Sequence, residues 1–183
     1  MLIKVKDLEL RNLEFDESFV PGVLDFGPDA TQSGEVRAAG RAELIRETRG
    51  PREVVEDIRL VGRFSAELQV HCARCLEPVP ESVGETFDLI YRPLGVDARE
   101  PDASIGRAES EIGYYQGEGL LLEDVVKEQI LLALPVKQTC RSDCKGLCPH
   151  CGQNLNEAQC SCSAALPDTR WNALQDIRKK MES

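Results

Sequence analysis

Two periodicities run along the chain. Through residues 1–91 apolar side chains recur mainly at every second position, the spacing of strands with one buried face. Leu2 to Leu10 alternates, with Ile3 and Val5 set against Leu2, Lys4 and Lys6, and predicts an opening strand. Gly34 to Thr48 predicts a second strand through Val36, Ala38, Ala42 and Leu44, with a turn at Arg49-Gly50-Pro51. Glu53 to Val70 is a longer β-rich run containing Ile58, Leu60, Phe64 and Leu68, in which Gly62 is expected at a bulge or bend. Val79 to Tyr91 predicts another strand or strand pair, so Cys72 and Cys75 fall in the turn of a β-hairpin. Asn12 to Pro28 carries the turn signals Pro21-Gly22 and Gly27-Pro28. It is expected as irregular chain whose Leu13, Phe15, Phe19, Val20, Val23, Leu24 and Phe26 cover the core.

The second period begins at residue 120. Leu122, Val126, Ile130 and Leu134 recur at i+4, and Leu121, Val125 and Leu132 widen the stripe, predicting a core helix over 120–134. Glu123 and Asp124 suit the positive end of its dipole, and Pro135 stops it. Before it, Asp97 to Ser110 is polar and turn-rich and is expected as a mobile surface loop, and Glu111 to Gln116 as a short strand. Near the end, Asp168 is a plausible N-cap for a short terminal helix with Trp171, Leu174, Ile177 and Met181 on one face.

Cysteine spacing adds chemistry to this outline. Six of the eight cysteines lie between Cys140 and Cys162. Zinc takes four thiolates in a tetrahedron, and a C-x-x-C turn supplies two of them. Cys148-Pro-His-Cys151-Gly152 has the residues of a tight knuckle: proline fixes φ and glycine tolerates a left-handed turn. Cys160 and Cys162 complete a first predicted site. The remaining four, Cys72, Cys75, Cys140 and Cys144, predict a second zinc that ties the middle of the chain to its C-terminal part. Grouping Cys140, Cys144, Cys148 and Cys151 is the alternative partition, and a disulfide framework or a redox-active dithiol are competing readings. His71 and His150 each adjoin a cysteine and are expected as exposed knuckle residues, with substitute ligation as the lesser reading.

The picture is thus α+β: an antiparallel β-rich domain over residues 1–135 with a packed core helix, then a cysteine-rich zinc-knuckle segment over 136–183 with the short terminal helix. There is no apolar stretch of membrane-spanning length and no signal-peptide pattern after Met1, so a cytoplasmic protein is expected, where thiols stay reduced and cysteines serve metals. The net charge of −10 disfavours a free-standing nucleic-acid binder and suits a basic protein partner. Two four-thiolate zinc sites would deepen it to about −14. The charge is uneven. Residues 137–183 hold seven Lys and Arg against five Asp and Glu, a balance of +2 that leaves −12 for the rest. The candidate RNA contacts are therefore Lys137, Arg141, Lys145, Arg178, Lys179 and Lys180. No phosphate-cradling glycine loop, paired carboxylates or nucleophile–base motif is present, and no catalytic residue is assigned.

Several of these segments together resemble one family. Glu128-Gln-Ile-Leu-Leu-Ala-Leu-Pro-Val-Lys137 is followed by Cys140-x3-Cys144-Lys-Gly-Leu-Cys-Pro-x-Cys-Gly-x-Asn-Leu-Asn156. Next come Cys160-x-Cys162 and Asp168-x-Arg-Trp-x-x-Leu174. With the upstream Cys72-x-Arg-Cys75-Leu76, these are similar to the YceD family, the large ribosomal RNA subunit accumulation proteins. The resemblance implies a bacterial cytosolic, non-enzymatic factor needed for normal 23S rRNA levels. It would act on 23S rRNA or its precursor, directly or through a basic ribosomal protein, with no membrane and no small-molecule substrate. The rival from another class is a thiol redox protein or redox-regulated chaperone using Cys72 and Cys75.

Overall fold

The computed structural model describes residues 1–50, 53–96, 112–162, Arg178 and Met181. The expected loop over 97–110 lies outside them, as does the terminal helix apart from Arg178 and Met181, which are both helical and exposed.

The described chain is mostly β-sheet with few helices. Its strands are β1 (Leu2–Lys4), β2 (Leu13–Phe19), β3 (Ala30–Gln32), β4 (Val36–Gly50), β5 (Glu53–His71), β6 (Pro78–Pro93), β7 (Ile112–Tyr115) and β8 (Gly119–Leu121). The helices are α1 (Val5–Leu8) and α2 (Leu122–Ala133). The main sheet runs β2-β4-β5-β6-β7, and β3 also pairs with β5. All its pairings are antiparallel except β6 with β7. β5 has 19 residues, against about 5–6 in a common strand, so two partners share one of its edges. β4 takes Glu53 to Ser65, and β3 takes Leu68 to Val70. Its even-numbered residues Ile58, Leu60, Phe64, Ala66, Leu68 and Val70 are buried, while Arg63, Ser65, Glu67 and Gln69 face solvent.

Several expectations change. Residues 13–19 form a regular edge strand and not irregular chain. Phe15 and Phe19 point inward at period two, but Glu14, Asp16 and Glu17 lower β-propensity and hide the pattern. The same acids on an edge discourage pairing with another molecule. Leu13 is half-buried and Leu24 and Phe26 are buried, as expected, whereas Val20 and Val23 are exposed. The opening strand stops at Lys4 and becomes a one-turn helix, because Val5 and Leu8 then present the i, i+3 spacing that buries Leu8.

The predicted helix starts two residues late. Gly119–Leu121 is instead β8, which gives β1 its only strand partner among the described residues through Leu2↔Leu121 and Ile3↔Leu120. Leu122, Val125, Val126 and Ile130 bury against the sheet, while Leu121 and Leu132 face solvent, so the apolar stripe is narrower than the sequence suggested.

Gly62 is not at a bulge. The irregularity in the β4–β5 register lies between Thr48 and Gly50, whereas Gly62 sits in a continuous row Phe15↔Gly40↔Gly62↔Phe87 across four strands. A Cβ on Gly62 would lie 2.8 Å from Phe87 Cζ and 3.2 Å from Phe15 Cζ. The two rings cover the two glycines, a packing that only a missing side chain permits.

Candidate metal centre

The hairpin between β5 and β6 carries the first knuckle. The Cys72 N–H donates to the Glu77 carbonyl at 2.9 Å, and the Leu76 N–H donates to the Cys72 carbonyl at 2.9 Å. The second knuckle repeats this wiring: Cys148 N–H to Gln153 at 2.8 Å and Gly152 N–H to Cys148 at 2.9 Å. The residue after the second cysteine is left-handed in both, Gly152 at φ 73° and Leu76 at φ 63°. Glycine occupies this conformation freely, whereas leucine does so at a cost.

The knuckles set up two clusters. In the first, the sulfurs of Cys72, Cys75, Cys140 and Cys144 all lie within 4.8 Å of one another, and in the second so do those of Cys148, Cys151, Cys160 and Cys162. The predicted partition is therefore the one the geometry forms, and the Cys140/Cys144/Cys148/Cys151 alternative is not. All eight cysteines are free. Cys72 Sγ is 3.9 Å from Cys144 Sγ, and Cys75 Sγ is 3.6 Å from Cys140 Sγ. A disulfide needs about 2.05 Å, whereas a thiolate tetrahedron with metal–sulfur bonds of about 2.3 Å has edges of about 3.8 Å. The donor set and spacing fit a four-thiolate metal ion, and both clusters can hold one. Neither His71, whose Nδ1 lies 2.9 Å from the Leu76 carbonyl, nor the exposed His150 joins a cluster.

The first cluster is the better enclosed. Cys72, Cys75 and Cys144 are buried, whereas in the second cluster only Cys148 is. Backbone amides and side chains already prepare charge in both. The Cys140 N–H donates to Cys72 Sγ at 3.3 Å, and this and neighbouring N–H groups bring the Cys72 thiol down to about 6. The amides of Cys151 and His150 likewise bring Cys148 to about 6. The Asn156 side chain holds Cys144 below the usual thiol range through a 3.3 Å bond from Nδ2. The opposite members resist ionisation. Cys140 is exposed as a residue, yet loss of solvent around its sulfur, followed by the nearby Cys144 thiol, pushes it up to about 12. The Cys151 thiol does the same to Cys162, also to about 12. Four thiolates in contact repel, and a divalent cation at their centre removes that conflict. The arrangement does not favour a Cys72–Cys75 redox pair, because both sulfurs are buried and are engaged with the other half of the cluster.

Backbone contacts close the first cluster around the hairpin. Ala73 N–H donates to the Gln138 carbonyl at 2.8 Å, and Leu147 N–H to the Arg74 carbonyl at 2.9 Å. Gly146, at φ 76°, lets the closing segment pass so close that a Cβ would stand 2.9 Å from the Arg74 carbonyl oxygen. Of the candidate RNA contacts, Lys137, Arg141 and Lys145 are exposed along this closing segment, and Arg141 pairs with Asp143 at 3.3 Å. Arg178 is exposed, and Lys179 and Lys180 lie outside the described residues. The structure adds a cation that is not among those candidate RNA contacts. Arg74 donates from Nη1 to the Cys144 carbonyl at 2.8 Å, so it lies against the backbone between Arg141 and Lys145 although it is about 70 residues away in sequence. Its place between two ligand cysteines was the available signal. Asn156 likewise carries no signal of its own beyond its place at the end of the Cys-Gly-x-Asn-Leu-Asn run.

Among the described residues, no helix is long and apolar enough to cross a membrane. A family model described as "Large ribosomal RNA subunit accumulation protein YceD" matches residues 60–178. An uncharacterized protein of Mycobacterium tuberculosis is 33% identical over 104 residues, which is 56% of this chain and 47% of that protein. A protein of Arabidopsis thaliana named large ribosomal RNA subunit accumulation protein YCED homolog 1, chloroplastic, is 23% identical over 146 residues, 68% of this chain and 46% of that one. Its namesake in Zea mays is 26% identical over 131 residues, covering 57% and 44%. The chain spans about half the length of the curated relatives it matches. No solved structure matches it.

Proposed function

The chain belongs to the YceD family, and from that premise we propose that it is a non-enzymatic cytoplasmic factor supporting 23S rRNA accumulation and large-subunit biogenesis, built around two structural zinc ions. The names of the Arabidopsis and maize relatives support the rRNA role. The observation that carries the metal role is the gathering of all eight free thiols into two tetrahedral-sized clusters. A four-thiolate zinc site supplies tight, closed coordination with no open position for substrate, which suits structure and not catalysis. On this reading residues 1–135 are the body and 136–183 the metal-ordered segment. The segment has little apolar surface to bury, and metal binding offsets its ordering entropy.

The first cluster then does more than staple. It holds Arg74 of the hairpin against the backbone of the segment that carries Lys137, Arg141 and Lys145, and on this reading the four cations form one edge. In this reading that edge, with Arg178, Lys179 and Lys180, contacts phosphates of 23S rRNA or its precursor, and the acidic body faces away. The net charge of −10 favours a second reading, in which the body holds a basic ribosomal protein and reaches the rRNA through it. Ultraviolet crosslinking in growing cells, followed by sequencing of the attached RNA, separates the two. A focused 23S peak that weakens in an Arg74→Ala/Lys145→Ala double variant is expected. RNA at background level, with a basic protein recovered instead, transfers the role to the second reading, and neither partner rejects both.

A further inference from the structure

One side chain links the two clusters. Asn156 lies in the loop between Cys151 and Cys160, so the ligands of the second cluster close that loop at both ends. Its Oδ1 accepts the Lys145 N–H at 2.8 Å. An amide oxygen must face that N–H, which turns Nδ2 the other way. Nδ2 then donates to Cys144 Sγ at 3.3 Å and to Asn154 Oδ1 at 2.9 Å. Every polar atom of the side chain is used, and the one sulfur it touches belongs to the first cluster. The rest of the loop follows the same segment: Leu155 N–H donates to the Gly146 carbonyl at 2.9 Å, and Leu147 bridges to Asn154.

We infer that Asn156 couples the two metal sites, so that filling the solvent-accessible second site fixes the amide that orients Cys144 in the buried first site. The inference rests on the metal reading above and extends it to an order of assembly. Groups that hydrogen-bond to metal ligands commonly change metal affinity by about 10–100-fold. Here such a group is held in place by the other site. Reciprocity requires that a filled first site strengthen the second by the same factor. The exposed site becomes the point of control: a chelator that strips it also loosens the clip between hairpin and tail.

The test uses the full chain and Cd2+, followed by cadmium NMR with chelator competition, which reads each four-thiolate site separately. Cys160→Ser/Cys162→Ser removes the second site and is expected to weaken the first by about 10–100-fold. Asn156→Asp keeps the shape and the acceptor for Lys145, but turns a carboxylate oxygen toward Cys144 Sγ, and is expected to weaken the first site comparably. Combining the two should add no more than about twofold, because both break one path. First-site affinity that stays within about twofold of wild type when the second site is removed overturns the coupling while leaving both metal sites standing. A wild-type chain that takes up no Cd2+ overturns the metal reading and the coupling together.

Discussion

At the scale of single residues, the two knuckles are the same device made from different sequences. Pro149 and Gly152 made the second visible, because their backbone preferences are those the turn demands. The first was visible only as a C-x-x-C, since Leu76 is no signal for a left-handed turn. Leu76 is 60% exposed and loses little burial on truncation, while its conformation costs about 1–2 kcal/mol. Part of that is offset by the larger unfolded-state entropy of glycine, about 0.4–1 kcal/mol. Leu76→Gly is therefore expected to stabilise the metal-loaded protein by about 0.5–1 kcal/mol, read as a higher urea midpoint at unchanged slope. A lower midpoint would mean that the exposed leucine makes contacts that the knuckle requires. Gly146 is the converse case. Its role follows from the proximity of Arg74, which no local pattern could announce.

At the scale of elements, β4, β5 and β6 were legible because each alternates over many residues with few interruptions. β2 was not, because its acidic positions mask an intact alternation, and the start of α2 was misplaced because Leu120 and Leu121 fit either period. Only pairing with β1 decides between them. The glycine row shows what an element-level reading of one strand cannot hold: Gly62 has its meaning from Phe15 and Phe87, which lie on other strands. Alanine ordinarily suits a strand better than glycine. Here Gly62→Ala is expected to destabilise by about 1–3 kcal/mol, the range for overpacking a filled core. A urea midpoint at or above wild type would show that the rings and the Ala39 carbonyl oxygen, also 2.8 Å from the added Cβ, adjust without cost.

At the scale of the whole molecule, the first cysteine cluster draws its ligands from the β5–β6 hairpin and from a segment about 65 residues further along the chain. The sequence reading reached the eight ligand candidates and the favoured pairing through spacing and elimination, but pairing across so long a separation needed the hairpin and the closing segment in place. The hydrogen bonds from Arg74 and Asn156 to the first cluster needed the fold outright, since one joins the hairpin to the closing segment and the other runs from the loop of the second cluster to a ligand of the first. The most direct measurement is native mass spectrometry of the full chain purified without chelator, combined with thiol titration before and after acid. The account predicts two zinc ions per chain, thiols that are masked until acid releases the metal, and all eight cysteines reactive afterwards. A metal-free chain, or one carrying a reversible Cys72–Cys75 disulfide, would contradict it and return the hairpin pair to redox chemistry.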